Sequence, residues 1–126
     1  MGLYVGSTVI NTTDVEEGVA FWSAALGYIV GHWPDHTFAV LCDPNRRWSN
    51  ISLQLTEEPK QGRNRLHLDL YTADQQGEVA RLEGLGATRP EWEYPPDADF
   101  VVLCDPDGNE FCIIQTDLTQ DSPYPR

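Results

Sequence analysis

Apolar and polar positions along this chain change period several times, and each change predicts an element. Residues 3–11, LYVGSTVIN, are rich in β-branched side chains and read as a strand. Val15, Val19, Trp22 and Leu26 then fall at i, i+4, i+7 and i+11, the apolar stripe of an amphipathic helix. Asp14 stands where the N-cap belongs, with Glu17 three residues on as its capping-box partner. Gly27 ends the helix where a left-handed residue is needed. Extended runs follow at 28–33, 37–42 and 50–56. In ISLQLT, Ile51, Leu53 and Leu55 share one face, opposite Ser52, Gln54 and Thr56.

The second half repeats the scheme: a strand at 64–72, a helix at 74–85 ending at Gly86, and strands near 88–93, 99–104 and 110–115. RLHLDLYT puts Leu66, Leu68 and Leu70 on one face and Arg65, His67, Asp69 and Tyr71 on the other. The leucine face is expected to meet the helix. Asp105-Pro106-Asp107-Gly108-Asn109 is strong turn chemistry between the last two strands.

The halves also share wording. FAVLCDP, ending at Pro44, recurs as FVVLCDP, ending at Pro106, with Ala39 against Val101 as the one change. Asp14 matches Asp74, Val19-Ala20 matches Val79-Ala80, and Leu26-Gly27 matches Leu85-Gly86. The chain reads as two copies of a unit of about 60 residues. The fold expected is α+β: two tandem βαβββ modules forming a cupped mixed sheet, within one domain over 1–126. Module one covers 3–56, a linker 57–63, module two 64–116, and a loose polar tail 117–126. One helix covers one face of each sheet, so the other face needs cover or curls around something. A cup suits a small molecule. The two Asp-Pro pairs read as architecture, closing the third strand of each unit.

Charge narrows the partners. With 20 acidic and 8 basic residues the formal net charge is −12, which repels nucleic acid and anionic membrane and favours a cationic ligand. Cys42, Cys104 and Cys112 lie in apolar runs and read as reduced, buried thiols. There is no signal-like stretch and no run of 18 apolar residues, so a cytoplasmic location is expected.

The doubled β-α-β-β-β order, with HLDLYTAD and DPDGNEFCII in the second copy, resembles the vicinal oxygen chelate superfamily, which includes glyoxalase I, extradiol dioxygenases and bleomycin-resistance proteins. NRLHLDL and DPDGNEFC are most similar to its glyoxalase-like branch, over about residues 3–116. The resemblance implies the cupped fold but no single reaction. In the superfamily's metal enzymes, two ligands per unit stand on the first and last strands. Carried onto this chain, those places fall on Ser7, His67 and Cys112, with Gln54 as the fourth, or Ser52 under another alignment of the loop at 45–50.

That set is poor for iron or zinc, because His67 and Cys112 are good donors while Ser7 and Gln54 are not. Asp69 shares the face of His67 but stands two residues along, about 7 Å away in a regular strand. No cofactor is therefore expected, a divalent iron, zinc or nickel ion held by His67 and Cys112 being the alternative. His67 can satisfy a neighbouring group, contact a ligand or act as a general base, and Cys112 can be a small core residue or a nucleophile with His67 as base. Trp48 can wall a ligand cavity or seal a sheet edge. His32 and His36 flank Pro34 and read as a solvated turn.

The expectation is a metal-free small-molecule binder using Ser7, Gln54, His67, Cys112 and Trp48, and forming a homodimer. The alternative is a glyoxalase- or dioxygenase-type lyase, isomerase or oxygenase built on His67.

Overall fold

The computed structural model describes residues 2–117 and divides the chain into two compact units, 1–61 and 62–126. The expected tail thus lies, from 118 onward, outside the described residues. The class is α+β, with one mixed sheet and one main helix per unit.

Unit one contains β1 (Ser7–Thr12), α1 (Val15–Leu26), β2 (Ile29–Asp35), β3 (Phe38–Cys42) and β4 (Asn50–Leu55). Its sheet runs β1-β4-β3-β2, with β1 parallel to β4 and the other pairs antiparallel. The strand expected from residue 3 begins only at Ser7, because the ladder of β4 starts at Asn50. Leu3, Tyr4 and Val5 are exposed. β2 extends to Asp35 with Pro34 inside it, which is tolerated because β2 is the edge strand.

The Asp14 carboxylate accepts the Glu17 N–H at 3.1 Å, but the return arm of the cap comes from Thr12, whose Oγ1 accepts the Asp14 N–H at 3.2 Å. Unit two repeats this with Thr72, Asp74 and Gly77. Glycine at the glutamate's place shows that the second cap works without a glutamate side chain there. Gly27, at φ 69°, closes α1 as the sequence requires. On the helix side of the sheet, Leu41 and Leu53 are fully buried and Ile51 nearly so; Val15, Val19, Phe21 and Trp22 of α1 are buried too. Leu26 is only half-buried, and Phe21 and Ala25 complete the stripe in its stead.

Unit two contains β5 (Asp69–Thr72), α2 (Gln75–Gly84), β6 (Phe100–Cys104) and β7 (Glu110–Gln115), in sheet order β5-β7-β6. α2 packs on β7 through its buried Val79 and Leu82. Two expectations need correction. The strand from 64 starts at Asp69, so Leu66 lies outside it and is 85% exposed, not on a buried leucine face. The strand near 88–93 is reduced to one bridge, Thr88 to Cys104. Pro90, inside that run, explains this, since it cannot donate to a ladder, and Pro95 and Pro96 bar the strand from resuming. Residues 89–99 form an irregular strap along β6. There the Tyr94 hydroxyl accepts the Val102 N–H at 2.9 Å, and the Thr88 carbonyl accepts the Cys104 N–H at 2.7 Å.

The repeated Asp-Pro pairs organise the turns. Buried Asp43 accepts the N–H groups of Asn45, Arg47 and Trp48 at 2.9, 3.0 and 3.2 Å, and these bonds, the Asn45 bond first, hold its carboxyl below the usual range. Asp105 accepts the N–H groups of Asp107 and Asn109. No described helix is long and apolar enough to cross a membrane.

Candidate functional site

Strand register builds the site in unit two. Asp69, Cys112 and Val102 pair across β5, β7 and β6, and therefore share one face. One pleat further along, Tyr71, Ile114 and Phe100 form the next row on that face. Above these rows lies a hollow of about 740 Å³, walled in part by Arg63, Asn64 and Trp92. A volume of that size suits a drug-sized ligand. Its described lining belongs wholly to unit two.

His67 stands just before β5, on irregular backbone. Released from the pleat, its Nε2 comes within 3.3 Å of Asp69 Oδ1. Asp69 is the residue that the strand spacing set aside as too far; that spacing holds only where the strand is regular. One donor atom from each of His67, Asp69 and Cys112 lies within 4.8 Å of the others. The sequence did carry a signal for Asp69, because the alternation placed it on the face of His67.

Cys112 is a buried thiol whose pKa is pushed up to about 11, first by burial, then by the charge of Asp69 and the hydrogen bond to it, and then by Glu110. At neutral pH it is a hydrogen-bond donor to Asp69 and not a nucleophilic thiolate. The imidazole of His67 engages that same carboxylate. The cluster is an Asp-centred hydrogen-bonding floor.

Ser7 and Gln54 lie on the corresponding face of unit one, as alternation requires, but four ladder rows separate them: Ser7 pairs with Asn50 and Gln54 with Asn11. The register also decides between the two alignments. Ser52 faces Val9 as Cys112 faces Asp69, each 60 positions apart, so Ser52 and not Gln54 is the counterpart of Cys112. The Ser7 and Ser52 hydroxyls lie 2.7 Å apart and are hydrogen-bonded. Trp48 sits on the Asp43 turn, 40% exposed, with the Arg47 guanidinium 5.7 Å from its ring centre. His32 lies on β2 and is exposed, and His36 occupies the following turn. The sequence reading passed over Arg63 and Asn64.

The profile of the glyoxalase-like domain matches residues 7–114. The chain belongs to the glyoxalase-like family. Solved structures of low identity share its fold. A glyoxalase/bleomycin resistance protein/dioxygenase family enzyme from Burkholderia phytofirmans is 23% identical, with TM-score 0.67, over 88% of this chain and 97% of that one. The fosfomycin resistance protein FosX from Listeria monocytogenes is 14% identical, with TM-score 0.72, over 94% of each chain. A possible glyoxalase from Bacillus cereus is 18% identical, with TM-score 0.65, over 90% of this chain and 99% of that one. No curated protein matches the chain. At these identities the structural likeness carries the fold of this glyoxalase-like chain and not a reaction.

Proposed function

We propose that this glyoxalase-like chain is a small-molecule-binding protein whose ligand occupies the hollow of unit two, with His67, Asp69 and Cys112 as its polar floor. The observation that carries this reading is the two-row concave face. A hydrogen-bonding row lies beside an aromatic and aliphatic row, under a hollow of about 740 Å³. His67 contacts the ligand and Asp69 positions the imidazole. Cys112, protonated at neutral pH, keeps the Asp69 carboxylate oriented. Of the four places the superfamily's metal enzymes use, Ser7 and Ser52 carry hydroxyls bonded to each other, which supports binding without that metal set. Cys42 and Cys112, reduced thiols among the described residues, support a reducing cytoplasm. The exposed apolar run Leu3-Tyr4-Val5 supports a homodimer, which light scattering tests.

Thermal shift against small amphipathic molecules tests the reading. At least one chemical class saturably raises Tm, and Ile114→Trp, which fills the hollow, removes the effect. A panel that moves Tm in neither protein overturns it.

One observation favours a second reading, a glyoxalase- or dioxygenase-type enzyme: the nitrogen, oxygen and sulfur donors within 4.8 Å fit a divalent ion such as zinc. His67, Asp69 and Cys112 would hold it, the thiol losing its proton. When bound, such an ion supplies Lewis-acid polarisation of a ligand oxygen.

A further inference from the structure

We infer that the Arg63–Arg65 part of the hollow is a subsite for an oxyanion, and that the ligand is a small aromatic or apolar acid. This rests on the reading of the hollow as a small-molecule site.

The chain has only 8 Lys and Arg residues against 20 acidic ones, yet Arg63 and Arg65 both line this hollow, beside His67. Such an acidic surface offers many carboxylates, but no salt bridge holds Arg63 or Arg65 among the described residues. Two of the lining acids are already engaged. Asp69 is taken by His67 and Cys112, and Glu110 Oε1 accepts the Asn64 N–H at 3.0 Å. Asp99 is the third.

The arginine segment is also held in place. Asn64 Nδ2 donates to the Glu110 carbonyl at 3.2 Å, so Asn64 is fixed at two points to a residue 46 positions away. Its neighbour Arg63 lies with the guanidinium carbon 4.2 Å from the Trp92 ring centre. Stacking uses the face of the guanidinium and leaves its in-plane N–H fork for a bidentate acceptor such as a carboxylate. Between the two arginines, Asn64 Oδ1 is buried and lacks a partner among the described residues, so it suits an N–H or O–H on the ligand. Trp92, Phe100, Ile114 and Tyr71 supply an apolar bed for the rest of the molecule. The net charge of −12 argues for a cation at long range, but a bound ligand is chosen by the groups within reach.

Four probes sharing one ring system test this by titration calorimetry: 2-naphthoate, 2-naphthylphosphonate, 2-naphthamide and 2-naphthylmethylammonium. At least one acid is expected to bind tenfold or more tightly than the amide and the ammonium; which acid wins tells carboxylate from phosphonate. In the double variant Arg63→Gln/Arg65→Gln the preference of acid over amide falls below threefold, while an unchanged Tm without probe reports an intact fold. Acids binding no better than the amide, an ammonium binding best, or a preference that survives the double variant overturns the anion subsite and leaves the pocket standing. If no probe binds, the subsite for an aromatic acid falls, and the thermal-shift panel decides the reading of the hollow separately.

Discussion

Ser52 and Cys112 occupy one position of a duplicated unit, each paired in a parallel ladder with the residue five before the helix-capping aspartate. In unit one that place carries a hydroxyl bonded to Ser7. In unit two it carries a thiol bonded to Asp69, and Asp69 in turn engages His67. The same backbone holds a closed serine pair in one copy and a titratable cluster in the other.

Asp69→Asn removes the charge that helps keep Cys112 protonated. The midpoint of Cys112 alkylation against pH, read by peptide mapping, then moves down from about 11. It stays above the ordinary 9.0, because burial is the larger cause. An unmoved midpoint would mean that Asp69 does not act on the thiol.

The same thiol makes the fold sensitive to alkali. Its pKa is higher folded than unfolded, so its stabilisation is full below about 9 and is lost as pH rises towards about 11, where the unfolded chain has already released its proton. Tyr28 adds to the loss; its pKa is raised by burial, then by the charges of Asp43 and Cys42. Urea midpoints should therefore fall over this window, and less steeply in Cys112→Ala and in Tyr28→Phe. Equal slopes in all three proteins would contradict the assignment.

Metal removal separates the two functional readings. Purified without a histidine tag and dialysed against a chelator, the protein should keep its ligand affinity on the binding reading. A stoichiometric zinc, iron or nickel ion in elemental analysis, lost alike in His67→Ala, Asp69→Asn and Cys112→Ser, would establish the metal reading instead.

Gly18 lets α1 approach β4. A Cβ there would lie 2.9 Å from Leu53 Cδ1 and 3.1 Å from Cγ, and Leu53 is fully buried. Alanine gains about 1 kcal/mol of helix propensity. The crowding costs about 1–3 kcal/mol. Gly18→Ala should thus be destabilising by about 1 kcal/mol in chemical denaturation; a stabilised variant would show that Leu53 can yield.

Asp105→Ala leaves the buried turn after β6 without its acceptor for two backbone N–H groups and the Asn109 amide. A loss of about 2–4 kcal/mol is expected, since each stranded donor costs about 1–3 kcal/mol. A change below measurement error would mean that water replaces the carboxylate.

Much of the fold was legible because its signals are local. The helix caps at Asp14 and Asp74, the stop at Gly27 and the alternation of β4 each act within a few residues. The duplication was legible because the same caps and turns recur. What misled was regularity assumed where the chain is irregular. A strand from 64 to 72 keeps Asp69 away from His67, but β5 starts at Asp69 and the two meet. The lost strand at 88–93 had its own warning in Pro90, with Pro95 and Pro96 just beyond it. Arg63 and Asn64 were invisible as site residues because what places them, Trp92 and Glu110, is distant in sequence.

The strap over 89–99 separates two jobs that strands usually combine. Thr88 and Tyr94 serve the edge of β6, while Trp92, on the same strap, walls the hollow. On the binding reading, substitutions at 90–93 would change which molecules fit while the sheet beneath keeps its hydrogen bonds. On that reading, this segment is where a designer would begin to randomise.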